Sequence, residues 1–176
     1  IVNGLSAERY PAEFAGGIGD EGIENLKRFV ENGGRLVCFD DSCEMIIRRF
    51  GLPMRNVLSG LRRNEFYNPG SVVKLLVDQR HPLARAMPPE TPAYFASSSA
   101  FEITVGSRVT TVARYADKDA LLSGWMLGER YLNGKTALAE AKYGNGSIVL
   151  FAFRPQHRGQ SWATFPFAFN VLEKAD

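Results

Sequence analysis

Histidine and cysteine are scarce in this chain: His81, His157, Cys38 and Cys43 are all there is among 176 residues. That scarcity excludes a disulfide framework and leaves no Cys or His pairs at the spacing of a structural zinc site, so neither a metal nor a cofactor is expected. Cys38 and Cys43 sit on either side of a strand end and a helix start, an awkward geometry for a bridge, and both are expected to be free thiols. Charge of one sign is missing as well, since 21 basic and 19 acidic residues are interspersed and leave a net charge of +2. Such a chain has no long-range field to draw in nucleic acid or an anionic membrane. The one basic cluster, Arg55, Arg62 and Arg63, reads as a solvated face. No apolar run approaches the roughly 20 residues of a membrane helix, and the first residues lack the order of a secretion signal. The sequence opens at Ile1 rather than methionine, which leads to the expectation of a processed product or an excised piece of something longer.

What is present is ordinary globular material, 45% apolar and 23% charged, enough for one packed core of this length. The stretch to about Gly19, with Pro11 and the pair Gly16-Gly17, reads as an irregular lead-in, and residues 20–176 as a single domain. From Asp20 to Asn32 the residues Ile23, Leu26, Phe29 and Val30 fall on one helical face. Asp20 and Glu21 lie in its first turn and Gly33-Gly34 stop it. The run "RLVCF" that follows reads as a strand covered on both faces. A second helix comes at once, capped by Asp41 or Ser42 with Glu44 in capping-box position, and ended by Gly51 and Pro53.

The middle is β-rich. Ser71–Asp78 reads as a strand with "HPLARAM" a helical turn behind it, His81 being a turn residue, and further strands are expected at 93–96, 101–105 and 108–115. "KTALAEAKYG" and "GSIVLFAF" read as a hairpin across Gly144-Asn145-Gly146, where the Asn-Gly pair is the turn signal. A closing helix is expected from about Ser161 to Glu173, with Pro166 near its start. The aromatics Phe151, Phe153, Trp162, Phe165, Phe167 and Phe169 are expected in the core.

In open α/β sheets ligands bind beyond the carboxyl ends of strands, which singles out two loops: Asp40-Asp41-Ser42, and Arg154 to Gln160 with Gln156, His157 and Arg158. The blocks "GGIGDEGIENLKRFVENGGRLVCFDDSCEMIIRRFGLPMRNVL", "HPLARAMP", "YFASSSAFE", "LLSGWMLGE" and "YGNGSIVLFAFRPQHRGQSWATF" together resemble the class I glutamine amidotransferase-like superfamily. The likeness is to the divergent form appended to bacterial zinc carboxypeptidases of the carboxypeptidase A type. The resemblance implies a flavodoxin-like open α/β sheet, here without the strand and helix that should precede Asp20. A sheet edge would then be exposed, covered by the lead-in or paired with another copy. It also implies an exported or periplasmic parent enzyme whose zinc site lies elsewhere in the polypeptide.

Active members of the superfamily use a cysteine on a strand-to-helix elbow, G-x-C-x-G, and a His and Glu from a late F-H-P-E segment. After "RLVCF" this chain has Asp40, Asp41 and Ser42 without flanking glycines, so the elbow is expected to be absent. Phe153-Arg154-Pro155-Gln156 stands in the place of F-H-P-E, and an arginine stays protonated and abstracts no proton. Two readings follow. One is a non-catalytic accessory domain that packs on a peptidase domain or binds a peptide or glycan fragment through Asp40, Asp41, Ser42, Arg154, Gln156 and His157. The other is a hydrolase or amidase using Cys43 or Ser42 with His157.

Overall fold

A computed structural model describes residues 1–159 and 161–173. Among them are three α-helices, α1 (Gly19–Glu31), α2 (Asp41–Arg49) and α3 (Phe165–Leu172). There are nine strands: β1 (Arg35–Phe39), β2 (Met54–Asn56), β3 (Ser71–Val77), β4 (Glu90–Phe95), β5 (Phe101–Ile103), β6 (Val109–Tyr115), β7 (Leu121–Gly124), β8 (Thr136–Tyr143) and β9 (Gly146–Phe151). The contacts divide the chain into two compact units, one of Ile1–Leu36 with Lys142–Ile148, the other of Val37–Ala141 with Val149–Asp176. No helix is long and apolar enough to cross a membrane among the described residues.

In the first unit, residues 1–18 hold one 3-10 turn, Ala12–Phe14, and one isolated bridge, Leu5 to Gly16. α1 forms where its period and its first-turn acids call for it, and buries Ile23 and Val30. Phe29, expected on the same buried face, is instead 53% exposed. Its ring lies against the Gly34 backbone, where a Cβ would stand 2.5 Å from two ring carbons. The turn after β8 has two residues, Gly144 at φ +56° and Asn145. The hairpin is as expected, but the turn pair is Gly-Asn, the glycine supplying the positive φ at the first central position. Gly146 opens β9 because a side chain there would strike the carbonyl oxygens of Gly34 and Val30.

The main sheet is open and runs in the order β1-β9-β8-β6-β3-β4, with β5 attached to β8, β2 to β5 and β7 to β3. The β6·β8, β3·β6, β3·β4 and β3·β7 pairs are antiparallel. The hydrogen bonds at the two ends of β1, Ser147 N–H to Gly34 O and Asp40 N–H to Phe151 O, advance the same way along both strands, so β1 and β9 are parallel. β1 is the last strand of the order, and only Cys38 in it is buried. The expectation of a strand covered on both faces is corrected here. β9, by contrast, is buried at every position.

The core of the second unit gathers Val73, Leu75, Phe95, Tyr115, Leu138, Phe151, Phe153 and Phe167. Burying a side chain of this size stabilises by about 1.5–3 kcal/mol each, so this cluster is what fixes the strand ends described below. Trp162 and Phe169 do not join it, being 75% and 60% exposed. They lie in and beside the two-part closing element, a 3-10 turn at Trp162–Thr164 followed by α3, with Pro166 in the first turn where its missing N–H costs nothing. Cys38 and Cys43 are both free and buried.

Candidate functional site

β1 ends at Phe39 and α2 begins at Asp41, so a single residue, Asp40, carries the chain from strand to helix. Asp40 does so at φ 54° and ψ −124°, a positive-φ conformation that L-residues other than glycine rarely adopt and that costs of order 1–3 kcal/mol. The sharp elbow expected to be absent is therefore present. The missing glycines misled because the bend is held by tertiary contacts, the Asp40 amide on Phe151 O and Ser42 across Phe39, rather than by residues that relax the backbone.

The elbow is held from behind. Asp40 N–H donates to Phe151 O at 2.8 Å. Ser42 Oγ accepts from Phe39 N–H at 3.0 Å and donates to Phe39 O at 2.7 Å, closing a small ring across the bend. The expected capping box does not form: no side chain caps α2, and Glu44 accepts from Ser59 Oγ instead. Asp41 and Ser42 are thus first-turn residues rather than caps.

The Asp40 side chain is only 4% exposed, and among the described residues neither Oδ1 nor Oδ2 has a partner with full hydrogen-bond geometry. Its neighbour is Arg154, just past the end of β9, whose Nε lies 2.7 Å from Oδ2 while the rest of the guanidinium reaches solvent. The pair is a close ionic contact without a well-formed hydrogen bond. Burial pushes the Asp40 carboxyl up to about 6; the Arg154 charge pulls it back and the Asp41 charge adds to the rise. Tyr115 lies fully buried behind, its hydroxyl donating to Ser99 O at 2.7 Å, and its pKa is raised by burial and then by the Asp40 charge.

The alternative trio is not brought together. The Cys43 thiol is fully buried and donates to Phe151 O at 3.2 Å. Burial drives its pKa well above the ordinary thiol value, away from a reactive thiolate. Ser42 is committed to Phe39. The His157 ring stacks on Tyr94 at 4.4 Å, with its pKa lowered by burial and by the Arg158 and Arg154 charges. Among the described residues neither Ser42 nor Cys43 bonds an imidazole. Gln156 is exposed, Arg158 sits at a strained φ of 49°, and Gln160 lies outside the described residues. His81, read as a turn residue, caps a 3-10 turn by accepting from Leu83 N–H, and lies 3.3 Å from the Glu140 carboxylate. No cluster of metal-ligating side chains occurs among the described residues.

Beside the elbow, beyond the ends of β1, β2 and β4, opens a cleft of about 300 Å³. Its polar lining comes from Asp41, Asn56, Arg63, Asn68 and the run Ser97 to Ser99, and its apolar lining from Leu58, Phe66, Tyr67 and Phe95. The sequence pointed to the Asp41 wall through the rule on strand ends. The serines of "YFASSSAFE", Asn56 and the Arg63–Asn68 wall were missed, although Ser97-Ser98-Ser99 directly after a strand is a signal of the same kind.

No protein-family model matches the chain, and no curated protein matches its sequence. Solved structures do share its fold. A cytoplasmic protein from Salmonella typhimurium superposes with a TM-score of 0.56 at 15% identity, over 89% of this chain and 61% of that one. A β-galactosidase from Bacillus circulans sp. alkalophilus gives 0.53 at 16%, over 85% of this chain and 20% of that chain. A putative GMP synthase component from Thermoplasma acidophilum gives 0.51 at 12%, over 86% and 63%. The chain thus spans between a fifth and about three-fifths of these proteins' lengths. The fold is a mixed α/β domain with an open sheet, shared with the Salmonella and Thermoplasma proteins. None of these structures links it to zinc carboxypeptidases.

Proposed function

We propose that this chain is a non-catalytic, glutamine amidotransferase-like module of flavodoxin-like descent that serves a larger enzyme as an accessory domain. One observation carries the reading. The elbow persists in backbone geometry, but the residue on it is a buried aspartate in contact with Arg154, the residue that the sequence resemblance aligns with the base. A carboxylate shut from solvent offers no lone pair to a substrate, and a guanidinium takes no proton, so the pair serves to fill the old reaction centre.

The match to a fifth of a β-galactosidase chain supports the accessory part of the reading, since there the same fold is a fraction of a much longer polypeptide. The sequence resemblance favours an exported zinc carboxypeptidase as the larger enzyme, with its peptidase domain as the partner. No observation favours the hydrolase alternative of Ser42, Cys43 and His157.

The test is ammonia release from glutamine by the purified chain, alone and with the peptidase domain added. None is expected, and the Cys43→Ser variant should behave as the parent does. Glutamine hydrolysis that disappears in Cys43→Ser would overturn the proposal.

A further inference from the structure

The cleft beside the elbow is built for a ligand of a particular chemistry. Three of its polar side chains, Asp41, Arg63 and Ser97, are exposed and hydrogen-bond to no other side chain among the described residues. Two others are held in place: Asn56 Oδ1 accepts from Leu58 N–H and Ala100 N–H, and its Nδ2 donates to Ser99 Oγ. Asn68 is fixed likewise, by Ser71 and Gly70. Fixed amides beside groups free to bond make a recognition surface whose donors and acceptors cost little ordering on binding. Ser97 also holds a strained φ of 52°, with the loop pinned where Ser98 Oγ accepts from Ala96 N–H. Strain of this kind, retained in an exposed serine on a cleft wall, marks a site.

The charge of the cleft lining is balanced, with one carboxylate, Asp41, and one guanidinium, Arg63. An anion such as phosphate would meet Asp41, and an amine would meet Arg63, so neither is favoured over a neutral molecule. At the rim the Tyr67 ring lines the cleft and packs on Trp125, with centroids 5.9 Å apart and exposures of 37% and 53%. Arg63 lies over the Tyr67 ring at 5.4 Å, and the Tyr67 and Leu127 backbones pair to hold the two aromatics together. Two adjoining exposed aromatics are costly to leave in water unless an apolar surface comes to cover them.

A ligand that is neutral, rich in hydroxyl groups and apolar on one face answers the fixed amides, the exposed serine and the exposed aromatics, whereas a zwitterion would answer only the two charges. We propose that the cleft binds a neutral saccharide of one or two rings, one sugar face lying on one ring of the Tyr67–Trp125 pair, whose planes are inclined at 60°, with the other ring against the sugar's edge and the hydroxyls meeting Asp41, Asn56 and Ser97. The volume sits at the low end of the roughly 300–1,000 Å³ of small-molecule sites, which excludes a longer chain lying wholly inside. The inference rests on the non-catalytic reading only in taking this cleft as a binding site; ammonia release tests that reading separately.

The experiment follows tryptophan fluorescence of the Trp162→Phe protein, in which Trp125 is the sole tryptophan. The titrants are lactose, cellobiose, maltose and N,N′-diacetylchitobiose, with glutamine, Ala-Ala and inorganic phosphate as comparison ligands. Saturable quenching by at least one disaccharide is expected. Calorimetry on the parent chain should give the same affinity, and affinity should fall about tenfold or more in Trp125→Ala and in Asp41→Asn while their melting temperatures hold. Silence from every saccharide up to ~50 mM, weaker than any useful site, would overturn the proposal. So would binding of glutamine, Ala-Ala or phosphate in preference to sugar, or saccharide binding indifferent to both variants.

Discussion

Replacing Asp40 with asparagine removes a charge while keeping the size and the positive-φ tolerance of the side chain, so it isolates the electrostatics of the elbow. The carboxyl titrates near 6 in the folded chain against an ordinary value of 3.8. A rise of about two pH units corresponds to about 3 kcal/mol. Because the value is raised, the folded protein holds the proton more tightly than the unfolded chain does. The stability that goes with this is fully present below about pH 4 and is lost as pH rises through about 6. At neutral pH the native protein therefore carries a buried carboxylate that works against it. Asp40→Asn is expected to be more stable than the parent by up to about 3 kcal/mol near pH 7.5, and no more stable near pH 4. Arg154 loses its partner in the variant, but with its side chain 45% exposed it returns to water at small cost. Urea denaturation followed by circular dichroism across this range measures the difference. A stability difference between the two proteins that stays constant from pH ~4 to ~7.5 would show that no buried charge develops at Asp40.

Arg154→Ala should have the opposite sign, destabilising by about 1–2 kcal/mol above pH ~6, where Asp40 is ionised and left alone, and by little near pH ~4; the same denaturation series checks it. Burial pushes Cys38 up to about 12 and Cys43 well above its ordinary value. A thiol reagent at mildly alkaline pH should accordingly label neither until the chain is unfolded, as mass spectrometry would show. Gly146→Ala would place a Cβ 2.2 Å from Gly34 O and 2.3 Å from Val30 O. It should cost about 1–3 kcal/mol or more, seen as a lowered melting temperature, whereas Ala substituted at the open Gly106 should be limited to the strain of its φ of 78°.

The order of elements was legible wherever period and punctuation agreed. α1 follows the spacing of Ile23 and Val30 and the Gly33-Gly34 stop, and the β8–β9 hairpin follows from the glycines around Asn145. β2 and β7 left no mark, because three residues of "MRN" and four of "LLSG" are too short to show alternation. Their existence depends on partners far along the chain, Phe101–Ile103 for β2 and the start of β3 for β7. The elbow was legible as a strand feeding a helix but not as a bend, since its usual glycines are missing and tertiary contacts force Asp40 into the strained region instead. Asp40 and Arg154 were each legible as strand-end residues, but their pairing was not, since it is made by two loops more than a hundred residues apart. The Tyr67 and Trp125 pair is invisible in sequence, because nothing local joins residues that far apart.

The strand that feeds the elbow pairs with β9, the last strand along the chain, and this fixes when the bend is made. During synthesis, residues 35–41 leave the ribosome long before Phe151, whose carbonyl receives the Asp40 amide, and before Arg154. Until then the aspartate is free in water at no electrostatic cost. Only when Phe151 and Arg154 arrive can it be drawn inside, so a strained and charged bend near the start of the second unit waits on contacts more than a hundred residues away.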